Sequence, residues 1–426
     1  MIKLLELFGG IGACSKALER LGIEYEIVDY VEIDKYAVKS YNAIHGTNFE
    51  PQDITKWNKD IDVDLIMHGS PCQDFSLAGL QHGGDEDSGT RSSLMYETIR
   101  IVDKLKPKYV IWENVKNLLS KNHIHNFNNY IIKMEELGYI SYYQVLNAKD
   151  YGIPQNRERV FTISIRKNID KDFIFPDKQE LKLKLKDMIE DNVDEKYYLS
   201  DDKIDMISHW NCFEKPFKKV YGKNSTLGTL TTRSGAECGG LKVYSNDLED
   251  TTNLQEQCLN IKSGAYARNF GSKGKLQDKE YCDTLTASMG TGGGNVPILK
   301  IRNNTKKGYL EAEEGDGIDI GSRMQYHRDN VQKQTCQTIT TMGGENVGVL
   351  MNDLRIRKLT PKECWRLMGF DDNDFNKASK VNSNSQLYKQ AGNSIVVNVL
   401  EAILNNLLLN KNIVFEDKQL SIYDFE

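Results

Sequence analysis

Between residues 1 and 166 short apolar runs alternate with amphipathic stretches, and this alternation limits the possible folds more than any other feature. Residues 2–7, 25–31, 63–67 and 109–112 read as strands. Residues 15–21, 35–44, 94–105 and 127–137 carry apolar side chains at helical spacing. Strands alternating with helices predict βα units, hence an α/β fold built on a doubly wound, mostly parallel sheet. Residues 139–146 and 159–165 then supply two later strands, read as an antiparallel hairpin at the sheet edge.

The pattern is lost near residue 170. A chain of 426 residues exceeds what one core usually supports, so a second domain is expected. Residues 178–205 are highly charged and read as a linker with one helix, and 206–350 are rich in Gly, Thr and Asn, as in short strands joined by long loops. A tripeptide recurs there: Thr229-Leu230-Thr231, Thr284-Leu285-Thr286 and Thr338-Ile339-Thr340, at spacings of 55 and 54 residues. Helical patterning returns in 361–368 and 394–409. The expected organisation is a first domain over 1–170, a smaller, irregular, strand- and loop-rich domain over 171–355, and a segment 356–426 that packs back on the first sheet.

Composition excludes several classes. No run reads as a transmembrane span, and Met1-Ile2-Lys3-Leu4-Leu5-Glu6 carries charges where a signal needs apolar residues, so no membrane partner and a cytoplasmic location are expected. The eight cysteines are dispersed without a Cys-x-x-Cys pair, so neither a disulfide framework nor a metal site is expected. The net charge of −6 does not exclude nucleic acid, because phosphate contacts need only a local basic surface. Residues 211–310 hold 15 Lys or Arg against 9 Asp or Glu.

Four motifs fall at predicted strand ends. Phe8-Gly9-Gly10-Ile11-Gly12 follows the first strand, where glycines allow positive φ and close approach of a ligand to backbone. Glu32 ends the second strand, placed to accept from ribose hydroxyls, and Asp53 follows at the next turn. That order suits a nucleotide-like cofactor, and the missing Gly-x-Gly-x-x-Gly spacing favours adenosylmethionine over a dinucleotide. Gly69-Ser70-Pro71-Cys72-Gln73-Asp74-Phe75-Ser76 follows the third strand. A lone cysteine is more often an inert buried residue than a nucleophile. This one lies where open α/β sheets place their ligands, with a proline stiffening its turn and a glycine-rich loop behind it. Glu113-Asn114-Val115 ends the fourth strand, and Gln155-Asn156-Arg157-Glu158-Arg159 enters a later one, its arginines alternating onto one face.

In this order the motifs resemble the cytosine-C5 DNA methyltransferase family. The resemblance covers about residues 1–166 and 355–405, and further rests on Arg91-Ser92-Ser93-Leu94, Arg357-Lys358-Leu359-Thr360-Pro361-Lys362-Glu363-Cys364 and Gln390-Ala391-Gly392-Asn393-Ser394. Two positions depart from the usual pattern: Ala13 for the second glycine of a pair, and Ser70 for a proline.

The resemblance implies a methyl transfer from S-adenosyl-L-methionine to C5 of a flipped-out cytosine in double-stranded DNA. Cys72 would add to C6, Glu113 would protonate or hydrogen-bond N3, and Arg157 or Arg159 would supply positive charge that favours the thiolate. Phe8, Gly10, Gly12, Glu32, Ile33, Asp53, Ile54, Pro71, Leu94, Asn393 and Ser394 would line the cofactor pocket. Gln73, Ser76 and Arg91 would sit on a lid over the DNA, and Thr338, Ile339 and Gly343 in the target-recognition region, with Thr284 the competing repeat. A monomer is the family's usual state. A cognate restriction endonuclease as companion, a phage origin and an orphan regulator all fit. A tRNA methyltransferase would share the cofactor fold, but the long region between 170 and 355 favours sequence-specific reading of duplex DNA.

Overall fold

The computed structural model describes residues 1–71, 94–169, 171–199, 265–267, 276–278, 299–302, 309–321, 329–341, 347–351 and 355–409. They group into two compact units. One comprises Met1–Asp191, Gln337–Gly344 and Thr360–Glu426; the other comprises Asn192–Cys336 and Glu345–Leu359.

The first unit is built on a six-stranded sheet of β1 (Ile2–Leu7), β2 (Tyr25–Val31), β3 (Leu65–His68), β4 (Tyr109–Val115), β5 (Tyr139–Asn147) and β6 (Glu158–Arg166), in the order β2-β1-β3-β4-β6-β5. The first four are parallel. Helices α1 (Ala13–Arg20), α2 (Lys35–His45), α3 (Met95–Leu105) and α4 (Ile124–Glu136) alternate with them. Leu4, Leu5, Glu6 and Leu7 of β1 are all buried, as in a parallel strand covered on both faces. The hairpin expected at the edge is present, with β5 outermost and β6 antiparallel to both β5 and β4. Pairing of Glu113 with Phe161, Asn114 with Val160 and Val115 with Arg159 carries β4 to Val115, beyond the expected end at 112.

The C-terminal segment contributes α5 (Pro361–Arg366), α6 (Asp372–Ser379), α7 (Asn384–Asn393) and α8 (Val397–Leu404). The helix expected over 394–409 instead begins at Val397 and ends in a π turn at Asn405–Leu409, because Ser394 is extended (φ −72°, ψ 161°). Helix α8 packs against α1, with Val397, Leu400, Ile403, Leu404 and Leu407 buried, so this apolar run is core. Thr360-Pro361-Lys362-Glu363 is a capping box: the Glu363 amide donates to Thr360 Oγ1 (3.2 Å), and the Thr360 amide to Glu363 Oε2 (2.7 Å). Pro361 at the first helical position fits the same role.

His68 ends β3 fully buried, stacked on Trp112 (5.8 Å between ring centroids, 3° between planes) and hydrogen-bonded through Nε2 to the Tyr130 hydroxyl at 3.1 Å. Burial pushes its pKa down from 6.5 to about 3. The folded chain thus keeps His68 neutral where the unfolded chain protonates it. Stability is held above pH 6.5 and lost as pH falls toward 3, by about 2 kcal/mol at pH 5 for this group. We expect the drop in Tm between pH 7 and pH 5 to shrink in His68→Gln; a drop as large as that of the wild type would mean His68 takes no part in acid sensitivity.

In the second unit, Gly317–Asp319, Val331–Gln332, Val347–Leu350 and Ile356–Lys358 form an antiparallel sheet. It encloses a small core of Leu199, Ile301, Ala312, Ile318, Ile320, Leu350 and Ile356. Of the three tripeptides, only Thr338-Ile339-Thr340 lies within the described residues, and it groups with the first unit.

Candidate active site

The loop between β1 and α1 turns through left-handed backbone at Phe8 (φ 53°), Gly10 (φ 55°) and Gly12 (φ 84°). At Gly12 a side chain is also excluded by space, since a Cβ would stand 2.2 Å from His45 Nε2. Gly10 differs: among the described residues nothing lies within 4 Å of where its Cβ would be, so they leave the loop open on that side. It is held from beneath. The Tyr30 hydroxyl donates to the Gly10 carbonyl at 2.7 Å, and the Tyr30 ring stacks on Tyr41 at 3.8 Å.

Glu32, just past the end of β2, ties this loop to the second strand. Its carboxylate accepts from the amides of Gly10 (3.2 Å) and Asp34 (2.9 Å). Burial pushes its pKa up, and those amide bonds oppose the shift. Beside it Ile33 is 70% exposed, a large apolar surface next to a carboxylate. The Gln52 amide donates to the Glu32 carbonyl at 2.8 Å and so fixes the next turn. There Asp53 accepts from the Thr55 amide (3.0 Å) and hydroxyl (2.8 Å), which hold its pKa low, and Ile54 is buried. Leu94 precedes α3 and packs on the core. Pro71 is described; Cys72, Gln73, Ser76, Arg91 and Gly343 lie outside the described residues.

The residues leading to Cys72 are tied to β4. Trp112 Nε1 donates to Ser70 Oγ at 2.9 Å, and Asn114 Nδ2 lies 3.4 Å from both the hydroxyl and the carbonyl of Ser70. A proline at position 70 could not accept through a side chain, so the departure at this position gains an anchor. Glu113 stands between them on β4, buried, with Oε1 3.1 Å from Arg159 Nε. Its Oε2 would be 3.7 Å from a Cβ at Gly69. Burial pushes the Glu113 pKa up, while the Arg159 and Arg157 charges pull it down. The protonated form is thus favoured over that of an ordinary exposed carboxyl, with the two arginines limiting the shift.

Arg157 and Arg159 have different surroundings. Arg159 faces Glu113; buried Arg157 donates to the carbonyls of Ile339 (3.1 Å), Gly392 (3.1 Å) and Ser394 (2.8 Å). Gln155, quoted in the motif but given no role from the sequence, is also buried: its Nε2 donates to the Leu367 carbonyl at 2.7 Å, and its Oε1 accepts from the Ile339 amide at 3.2 Å. The Thr338 hydroxyl donates to the Asn156 carbonyl at 3.0 Å. Thr338 and Ile339 are therefore docked on the Gln155–Arg157 segment, and Asn393 and Ser394 close the end of α7 next to it.

A family model described as C-5 cytosine-specific DNA methylase matches residues 2–409. This chain belongs to that family. The methylase is 30% identical to the type II methyltransferase M2.ScrFI of Lactococcus lactis subsp. cremoris, over 96% of this chain and 99% of the relative. It is 34% identical to the orphan methyltransferase M.SPRI of Bacillus phage SPR, over 96% and 97%. Among solved structures, a mutant DNMT2 of Spodoptera frugiperda (TM-score 0.53, 21% identity, 96% of this chain and 99% of that one) shares the fold. So does EhMeth, a methyltransferase of Entamoeba histolytica (TM-score 0.52, 15% identity, 96% and 98%). The methylase thus has the α/β architecture read from its sequence.

Proposed function

We propose that the methylase transfers a methyl group from S-adenosyl-L-methionine to C5 of a flipped-out cytosine in duplex DNA, through a covalent bond between Cys72 and C6. The observation that carries this reading is the buried Glu113–Arg159 pair beside Gly69, three residues before Cys72. The Cys72 thiolate adds to C6 while Glu113 holds a proton at N3, which draws off the developing charge and makes C5 enamine-like. S-adenosyl-L-methionine supplies the electrophilic methyl group. Once C5 carries the methyl group and S-adenosylhomocysteine has left, C5 loses its proton to water, that electron pair restores the C5–C6 double bond as the Cys72–C6 bond breaks, and the N3 proton returns to Glu113, regenerating the thiolate. Arg159 orients Glu113 and lends positive charge to the site. Extrusion of the base costs a few kcal/mol in unstacking and unpairing.

Support for the cofactor comes from the open side of Gly10, the exposed face of Ile33 and the carboxylate of Glu32. Phe8, Gly10, Gly12, Glu32, Ile33, Asp53, Ile54, Pro71, Leu94, Asn393 and Ser394 are the residues we assign to that pocket. Gln73, Ser76, Arg91, Thr338, Ile339 and Gly343 are assigned to DNA, with target reading in the second unit and the adjoining Thr338 segment. A cytoplasmic monomer acting on double-stranded DNA is the working assembly, and a cognate restriction endonuclease as companion fits the same reading.

The test is to express the chain in a bacterial host lacking cytosine methylation and map 5-methylcytosine across its genome, against an empty vector. Methylation at one short recurrent sequence is expected. A soluble protein that leaves host DNA unmodified but methylates tRNA would overturn the assignment of substrate. A gentler variant probes the pocket. Tyr30→Phe removes only the hydroxyl under Gly10, so the dissociation constant for S-adenosyl-L-methionine should rise about 5- to 10-fold, one buried hydrogen bond's worth, with kcat nearly unchanged. An unaltered constant would remove Tyr30 from the support of the loop.

A further inference from the structure

Two segments distant in sequence converge on one guanidinium. Arg157 reaches the Ile339 carbonyl on one side and the Gly392 and Ser394 carbonyls on the other. Between those segments there is no clearance: a Cβ at Gly392 would lie 2.3 Å from the Thr340 carbonyl carbon and 2.4 Å from the Thr341 nitrogen. Gln155 fastens the same segment from the side, through the Ile339 amide, and anchors itself on the Leu367 carbonyl.

We propose that Arg157 is a positioning residue that couples the cofactor pocket to the DNA-contacting segment, by locking the Gly392–Ser394 turn to Thr338–Thr341. This rests on the proposed function, which gives Asn393 and Ser394 to the cofactor and Thr338 and Ile339 to DNA. The physical argument concerns rigidity. A buried cation whose donors are shared between two backbone segments holds them in a fixed relation, and the bare Cα of Gly392 lets them touch directly. A ligand that orders the turn therefore orders the segment, and a ligand ordering the segment prepares the turn. Such coupling is reciprocal between the two binding constants. Lysine cannot reproduce it, since a compact ammonium lacks the planar fork that spans separated carbonyls.

The experiment uses the full chain and S-adenosylhomocysteine, the unreactive product, as probe. Its dissociation constant is measured alone and with a saturating duplex that carries the mapped methylation site. In the wild type we expect the duplex to tighten binding at least about 5-fold. In Arg157→Lys both ligands still bind, and the tightening falls below about 2-fold. Gly392→Ala keeps the cation but wedges the two segments apart, so it should show the same loss of coupling by a different route. Thermal denaturation of each variant establishes that it is folded. A folded Arg157→Lys or Gly392→Ala with wild-type coupling would overturn the proposal, as would a wild type without coupling. Absence of any methylated site in the genome would instead defeat the proposed function, so the two failures are distinguishable.

Discussion

Cys72→Ser is expected to reduce single-turnover methyl transfer by at least about 1,000-fold while cofactor and DNA still bind. The reason lies in the nucleophile. Cytosine C5 is too electron-poor to attack a methyl sulfonium until a nucleophile has added to C6 and pushed electron density onto C5. A thiol near its reference pKa is a few per cent thiolate at neutral pH and intrinsically nucleophilic, whereas a serine hydroxyl supplies almost no anion. A loss of 1,000-fold corresponds to about 4 kcal/mol of transition-state stabilisation. A second readout isolates the covalent step. With 5-fluorocytosine in the target duplex there is no C5 proton to lose, so the protein–DNA bond cannot be resolved and a denaturant-stable complex accumulates. That complex should form with wild type and be absent with Cys72→Ser. Its persistence in the variant would place the nucleophile elsewhere.

Most of the framework for this chemistry was legible in the sequence, for a physical reason. Parallel strands buried on both faces need continuous apolar runs, and turns at their carboxyl ends need glycine, proline or a capping acid. Both are local requirements, written in consecutive residues such as 2–12 and 109–114. The length of β4 was not legible, because its last three residues are held by β6, which follows more than 40 residues later. The roles of Arg157 and Arg159 were still less so. As a pattern they are two like cations on alternate positions of a strand. What separates them is that Arg159 meets a carboxylate on β4, while Arg157 meets backbone carbonyls at 339, 392 and 394. Every residue has a carbonyl, so no residue type announces such a partner. Ser70 had the opposite difficulty. It stood out only as a departure from a pattern, and its use emerged once Trp112 on the neighbouring strand was seen to donate to it. The third tripeptide repeat, too, gained a definite place only through Gln155 and Arg157.

The second large effect is expected at Glu113, and it carries a pH signature. Glu113→Gln preserves the side-chain volume and leaves an acceptor for Arg159 Nε, so Tm and cofactor affinity should stay close to wild type. Glutamine cannot deliver a proton to N3, and loss of a positioned general acid typically costs about 100-fold or more in rate. Burial raises the Glu113 pKa above that of an ordinary carboxylate, with Arg159 and Arg157 limiting the rise. The protonated form is therefore more populated at a given pH than in water. The single-turnover rate attributable to Glu113 should fall as pH climbs through that raised value, whereas thiolate formation at Cys72 favours higher pH. The wild-type profile is thus expected to be a bell, and in Glu113→Gln the alkaline limb should flatten, leaving only the ascending one. Arg159→Lys provides the complementary shift. Removing the guanidinium fork weakens the opposition to burial, so the Glu113 pKa rises and the alkaline limb moves to higher pH. A profile identical to wild type in Glu113→Gln would mean that the proton at N3 comes from another group, and the Glu113–Arg159 pair would then be left with a purely structural role.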